Sequence, residues 1–128
     1  MDEKTKISEA EWEIMKIIWE HEPLTAKDVI ENLFTVGATM WKPKTIKSLL
    51  SRLLNKDVIG YEKQGKEYMY FSKTTRGESI KTENDSFIKK VYDGGIKNMF
   101  VSFLENYNLS KEELDDLKKL INNKEKED

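Results

Sequence analysis

The chain has 128 residues, enough for one domain or two very small ones, and it combines 38% hydrophobic with 36% charged residues at a net charge of −2. It has no cysteine, which excludes disulfides, thiol catalysis and thiolate metal sites. No run of 18 apolar residues and no apolar N-terminal segment is present, so a soluble cytoplasmic protein is expected.

In chain order, Ser8-Glu9-Ala10-Glu11 has the form of a capping box and opens a helix over about 9–21, with Trp12, Met15, Ile18 and Trp19 on one face. Pro23 stops it, and His21, the single histidine, sits near its end, where a cation suits the helix dipole. Thr25 caps a second helix, about 26–34, with Val29, Ile30 and Leu33 inward. Residues 35–41 connect to Pro43, which fits a first helical position because its missing N–H is not needed there. The third helix runs to about Asn55. Its apolar positions Ile46, Leu49, Leu50, Leu53 and Leu54 follow the spacing of one helical face. Val58 to Lys63 and Glu67 to Phe71, separated by Gln64-Gly65-Lys66, predict a β-hairpin. Further helices follow. Phe87, Ile88, Val91 and Tyr92 form one apolar face before Gly94-Gly95. Ile96, Met99, Phe100, Phe103, Leu104 and Tyr107 form a second, and Leu114, Leu117, Leu120 and Ile121 a third behind the capping box Ser110–Glu113. The tail Asn122 to Asp128 is expected to fray.

Three helices and a two-stranded hairpin, in that order, describe a winged helix-turn-helix. The fold class expected is mainly α with a small β-hairpin wing, arranged as a DNA-binding domain over 1–73 and a helical dimerisation domain over 74–128. Charge distribution supports the nucleic-acid reading where net charge does not. Residues 42–73 carry 8 Lys/Arg against 3 Asp/Glu, residues 1–41 carry 4 against 9, and residues 74–128 carry 10 against 12. Between Lys42 and Lys56 there is no acid at all. An ordinary solvated face mixes both signs, so this one is read as a DNA face. Lys42, Lys44, Thr45, Lys47, Ser48, Ser51 and Arg52 are its candidate contacts, the long cations for phosphates or guanine edges and the hydroxyls for phosphates or bases. Lys63 and Lys66 flank Gly65 at the hairpin tip and could hold backbone phosphates, although two lysines on any exposed turn would look alike.

A tail of short helices is too small to bury its own apolar faces. Two copies could bury them mutually and would present two third helices to a palindromic site. The candidate dimerisation residues are Phe87, Val91, Ile96, Met99, Phe100, Phe103, Leu104, Leu114, Leu117, Leu120 and Ile121. No catalytic constellation, phosphate loop or metal-ligand spacing is present, so no enzyme, cofactor or metal is expected. Glu112-Glu113 and Asp115-Asp116 read as the solvated face of the last helix.

ISEAEWEIMKIIW, PKTIKSLLSRL and FIKKVYDGGIKNMFVSF together resemble the penicillinase repressor family (BlaI/MecI type) over about residues 7–121. The resemblance implies a homodimeric winged-helix repressor on a palindromic operator, in front of β-lactamase or other resistance-type genes. It implies release when a membrane sensor-protease, which carries its own metal, triggers cleavage in the dimerisation domain. It also implies that Lys44, Thr45 and Lys47 contact DNA and that Arg52 holds a phosphate. At the cleavage position the matching pair here is Ser102-Phe103, where the family pair is Asn-Phe. Lys42 precedes Pro43 where Ser or a similar N-cap is expected, which weakens the cap by about 1 kcal/mol but adds a cation. A copper-responsive branch with paired cysteine motifs does not match a chain without cysteine. Two other readings stay open at the level of sequence. One is a winged-helix regulator released by a small ligand, which requires a pocket. The other is a winged-helix adaptor that binds protein, which requires the absence of salt-dependent DNA affinity.

Overall fold

A computed structural model describes residues 6–35 and 41–127. The elements run α1 (Glu9–His21), α2 (Ala26–Thr35), α3 (Pro43–Asn55), β1 (Ile59–Gln64), β2 (Glu67–Ser72), α4 (Arg76–Tyr92), α5 (Ile96–Asn106) and α6 (Lys111–Lys126). This is the expected order, mostly helical with one antiparallel hairpin. Most of the expected 35–41 connection, residues 36–40, lies outside the described residues. The chain packs as two compact units, Met1–Asn84 and Asp85–Asp128, and α4 runs through the boundary.

Local chemistry sets the helix ends. The Ser8 hydroxyl accepts from the Glu11 N–H at 3.2 Å, and Glu11 Oε1 accepts from the Ser8 N–H at 2.8 Å. Thr25 and Asp28 exchange the same pair of bonds at the start of α2, both at 3.1 Å. Thr75 caps α4 through its hydroxyl alone, which accepts from the Glu78 N–H at 3.0 Å and donates to Glu78 Oε1 at 3.0 Å. α3 has Lys42 at its N-cap without a side-chain bond and Pro43 just inside. The wing turns tightly. Gln64 pairs with Glu67, so two residues, Gly65 and Lys66, make the turn rather than three. Gly65 has φ +65°, which glycine adopts without a Cβ penalty.

The first unit holds the hydrophobic core. Ile14, Met15 and Ile18 of α1 meet Val29 and Leu33 of α2 and Ile46, Leu49, Leu50 and Leu53 of α3, closed by Leu24, Val58 and Ile59. Burying each such side chain contributes on the order of 1.5–3 kcal/mol. Trp12 and Trp19, on the expected apolar face of α1, and Trp41 are half-buried at the edge of this core, as are Ile30 and Leu54. The rings of Trp12 and Trp19 meet edge to face at 5.5 Å, and Trp19 Nε1 donates to the Thr74 carbonyl at 3.0 Å. Large amphipathic indoles suit this border, where the ring is covered and the N–H finds a partner.

Two features tie distant segments together. Leu24 and Tyr70 exchange backbone hydrogen bonds, Leu24 N–H to Tyr70 O at 3.1 Å and Tyr70 N–H to Leu24 O at 2.7 Å, so the wing is pinned to the segment after α1. Glu11, expected only as a cap, is fully buried and pairs with Lys56, whose Nζ also donates to the Lys6 carbonyl at 2.9 Å. Burial pushes the Glu11 carboxyl up. The Lys56 ammonium and the Ser8 bonds outweigh it and hold the group below its ordinary 4.5.

In the second unit, α5 follows Gly94 (φ +83°), where the chain breaks as its double glycine suggests. α6 carries the expected capping box, Ser110 with Glu113. It differs from expectation at the other end, because residues 122–126 are helical and not frayed. Lysine and glutamate are good helix formers, and the Lys124–Glu127 pair spans the last turn.

Candidate nucleic-acid interface

α3 divides cleanly by face. Ile46, Leu49, Leu50 and Leu53 are buried, while Lys42, Lys44, Thr45, Lys47, Ser48, Ser51 and Arg52 are all exposed. The core therefore fixes the helix through its leucines and leaves the acid-free side in solvent. The first turn of α3 contains no acid, whereas α1, α2, α4 and α6 each place Asp or Glu there. The N-terminal end of a helix carries partial positive charge and disfavours cations by about 0.3–1 kcal/mol each. Lys42 and Lys44 sit against that preference, and an approaching polyanion would reverse its sign.

The wing carries the other two predicted contacts. Lys63 is the last paired residue but one of β1, opposite Tyr68, and Lys66 lies in the turn; both are exposed. The structure brings Lys63 and Lys66 to the same groove as Lys47 of α3, so these three predicted residues converge on one place. It adds residues that the sequence patterns do not indicate, namely Lys27 in the first turn of α2 and Tyr68 and Tyr70 of β2. Lys27 looks like any solvated lysine in sequence, and only the tertiary fold sets it beside the wing. Burial first, and then the neighbouring Tyr68 and Tyr61, push the Tyr70 phenol above its ordinary 10, so it remains a neutral hydrogen-bonding group at neutral pH.

His21 is exposed at the end of α1, and no group of His, Cys, Asp or Glu among the described residues is arranged to hold a metal. No helix among them is long and apolar enough to cross a membrane.

Residues 7–123 match the Penicillinase repressor family. The chain belongs to that family. Its members are winged helix-turn-helix DNA-binding transcriptional repressors, not an enzyme class. Among its relatives, the methicillin resistance regulatory protein MecI of Staphylococcus aureus is 37% identical over 125 residues, covering 97% of this chain and 100% of that protein. The penicillinase repressor of Bacillus licheniformis is 34% identical over 116 residues, covering 91% of this chain and 89% of that one. Among solved structures, the Bacillus licheniformis BlaI monomeric form in complex with the blaP half-operator superposes with a TM-score of 0.51 at 33% identity, over 61% of this chain and 93% of that one.

The second unit presents a different surface. No described residue from 85 onward is buried, although α4, α5 and α6 carry long apolar stripes. Of the predicted dimerisation residues, Met99 is half-buried. The other ten, Phe87, Val91, Ile96, Phe100, Phe103, Leu104, Leu114, Leu117, Leu120 and Ile121, are exposed. Ser102 and Phe103 lie within α5, and the Asn106 side-chain amide donates to the Ser102 carbonyl at 2.9 Å and to its hydroxyl at 3.2 Å.

Proposed function

We propose that this protein is a homodimeric repressor that occupies a palindromic operator ahead of resistance-type genes and is released by proteolytic cleavage within α5. The acid-free, fully exposed outer face of α3, standing on a buried leucine face, is the observation that carries the DNA reading. In this reading Lys44, Thr45 and Lys47 contact the operator, Arg52 holds a phosphate, and Lys42, Ser48 and Ser51 line the approach. Lys63 and Lys66 reach the backbone from the wing. The relative whose structure includes a half-operator supports the assignment, and a DNA target makes the cytoplasm the place of work.

The exposed stripes of the second unit support dimerisation, since so many large apolar side chains left in solvent on successive helices mark an association site. The energetic logic is effective concentration. One winged helix makes few phosphate contacts, and linking two makes the second half-site an intramolecular event, worth on the order of 10²–10⁴ in affinity. A cut at Ser102–Phe103 would separate the end of α5 and all of α6 from the rest and remove that gain. A membrane sensor-protease is the expected trigger of the cut.

The test is fluorescence anisotropy with a duplex from the region upstream of the protein's own gene, against a scrambled duplex, across a salt series. Selective binding with a steep salt slope is expected, and Lys44→Ala and Lys47→Ala should each weaken it and lower the slope. Unchanged affinity and slope in both variants would remove α3 from the interface. Phe103→Asp should yield monomers with reduced operator affinity, and a variant that stays dimeric at full affinity would displace the proposed seam.

A further inference from the structure

Within the first unit, a cavity of about 200 Å³ lies where the early turns of α4 meet the chain before α1 and the joint between α3 and β1. Ile7, Trp12 and Val58 form its apolar wall. Asp57, Glu78 and Glu83 also line it, and no lysine, arginine or histidine among the described residues does. Asp57 is the one carboxylate of the three with a cation, the Lys73 ammonium at 2.6 Å. Glu78 takes the Thr75 hydroxyl at 3.0 Å and suits the first turn of α4. Glu83 lies beyond that turn, draws nothing from the helix end and has no partner among the described residues.

Carboxylates on a helix face are ordinary, and a second observation sets these apart. Ser79 lines the same cavity and is only 7% exposed, yet its hydroxyl makes no hydrogen bond among the described residues. The hydroxyl is not sealed in either, since Glu11 Oε2 is the one sealed side-chain oxygen or nitrogen there without a partner. The Ser79 hydroxyl therefore opens into the cavity it lines. A buried hydroxyl with no partner is costly to keep. Glu78, Ser79, Thr82 and Glu83 follow the spacing of one helical face, so α4 turns two uncompensated carboxylates and a free hydroxyl toward one apolar wall.

We propose that this cavity is a binding site for a small organic cation, a primary ammonium on a flat apolar body. Glu83 and Glu78 are its charge partners, the Ser79 hydroxyl accepts a hydrogen bond from the ammonium, and the body packs against Trp12, Ile7 and Val58. An ammonium brings three donors and no acceptor, which matches walls that offer oxygen acceptors and no cation. At the packing density of protein interiors, about 0.75, the cavity holds roughly 150 Å³ of ligand, a molecule of about nine non-hydrogen atoms. The inference goes beyond the DNA reading and does not depend on it.

The experiment titrates the full chain with phenethylammonium, with phenylpropionate as the anion of similar size and phenethyl alcohol as the neutral one, at constant ionic strength. Amide and indole proton NMR signals report binding, and circular dichroism confirms the fold of each variant. Phenethylammonium should shift the amides of residues 78–83 and the Trp12 indole with a Kd of about 0.1–10 mM, and phenylpropionate should bind at least about tenfold more weakly. Glu83→Gln should weaken the ammonium by about fivefold and leave the alcohol unchanged, which separates lost charge from lost fold. Ser79→Ala should weaken the ammonium about two- to tenfold. Glu125→Gln removes a carboxylate of α6 outside the cavity and should change nothing. The proposal is overturned if about 20 mM phenethylammonium, twice the weakest Kd expected, leaves those signals in place. Phenylpropionate binding as tightly as the ammonium would overturn it too, as would an unchanged ammonium Kd in both Glu83→Gln and Ser79→Ala. An equal loss in Glu125→Gln would reduce the effect to bulk charge and overturn it as well.

Discussion

Replacing Lys56 by Met tests whether the buried carboxylate of Glu11 governs the stability of the first unit. Glu11 is fully buried, its Oε1 takes the Lys56 ammonium at 2.5 Å and the Ser8 N–H at 2.8 Å, and its Oε2 has no partner among the described residues. Methionine keeps the apolar stem of the lysine and removes the charge, leaving a carboxylate in the interior with one neutral donor. Breaking a buried pair by deleting one partner costs about 3–5 kcal/mol. The surviving Ser8 bond points to the lower end, about 3 kcal/mol. For a unit of roughly 80 residues, each kcal/mol moves Tm by about 4–8 °C, so a drop of about 12–24 °C is expected. Urea unfolding followed by circular dichroism, at one fixed protein concentration because association shifts apparent stability, gives the free energy directly. The pH dependence carries a second signature. In the wild type the Glu11 carboxyl lies below its ordinary 4.5, so its contribution is present above about 4.5 and is lost as pH falls through the folded value. In the variant, burial acts unopposed by Lys56 and pushes the carboxyl up, so the stability gap between the two proteins should close as acid protonates Glu11 in both. A loss below about 1 kcal/mol, or a gap that stays constant through the acid range, would refute the reasoning.

Two further substitutions test the scaffold. Leu50→Ala in α3 removes a side chain that is 1% exposed and should cost about 2–5 kcal/mol in urea unfolding, while leaving every exposed residue of the DNA face in place. Asp57 turns the chain from α3 into β1 at φ +62°, so Asp57→Val should lose about 1–2 kcal/mol and Asp57→Gly should not. The Asp57–Lys73 pair is exposed on both sides and adds little to either result. Equal melting temperatures for the valine and glycine variants would remove the backbone explanation.

What could be read directly from sequence was the information written at short range. The capping boxes at Ser8 and Ser110 set the starts of α1 and α6, the leucine spacing oriented α3, and the glycine between two β-prone runs located the wing. The start of α4 was also written locally, as Thr75-x-x-Glu78, but residues 76–86 lack a strong apolar stripe and periodicity alone passed over it. Helical residues 122–126 escaped for a related reason, since they carry no apolar pattern and rely on propensity and pairing. Other features depended on residues far apart in the chain. Glu11 reads as a cap because its partner Lys56 is 45 positions away. Lys27 reads as a surface lysine because the wing that faces it begins more than 30 residues later.

The backbone pairing of Leu24 with Tyr70 bears on the order of events in folding. α2 follows α1 and α3 follows α2 along the chain, so neighbouring helices can form and dock early, whereas the wing becomes fixed to the segment after α1 only when a loop of about 45 residues closes, at an entropic cost that must precede its reward. The hairpin is therefore expected to be largely unformed in the folding transition state. Substitutions there should accelerate unfolding and leave the folding rate nearly unchanged, as stopped-flow measurements would show. The lifetime of the native first unit, and not the speed with which it appears, would then depend on the wing.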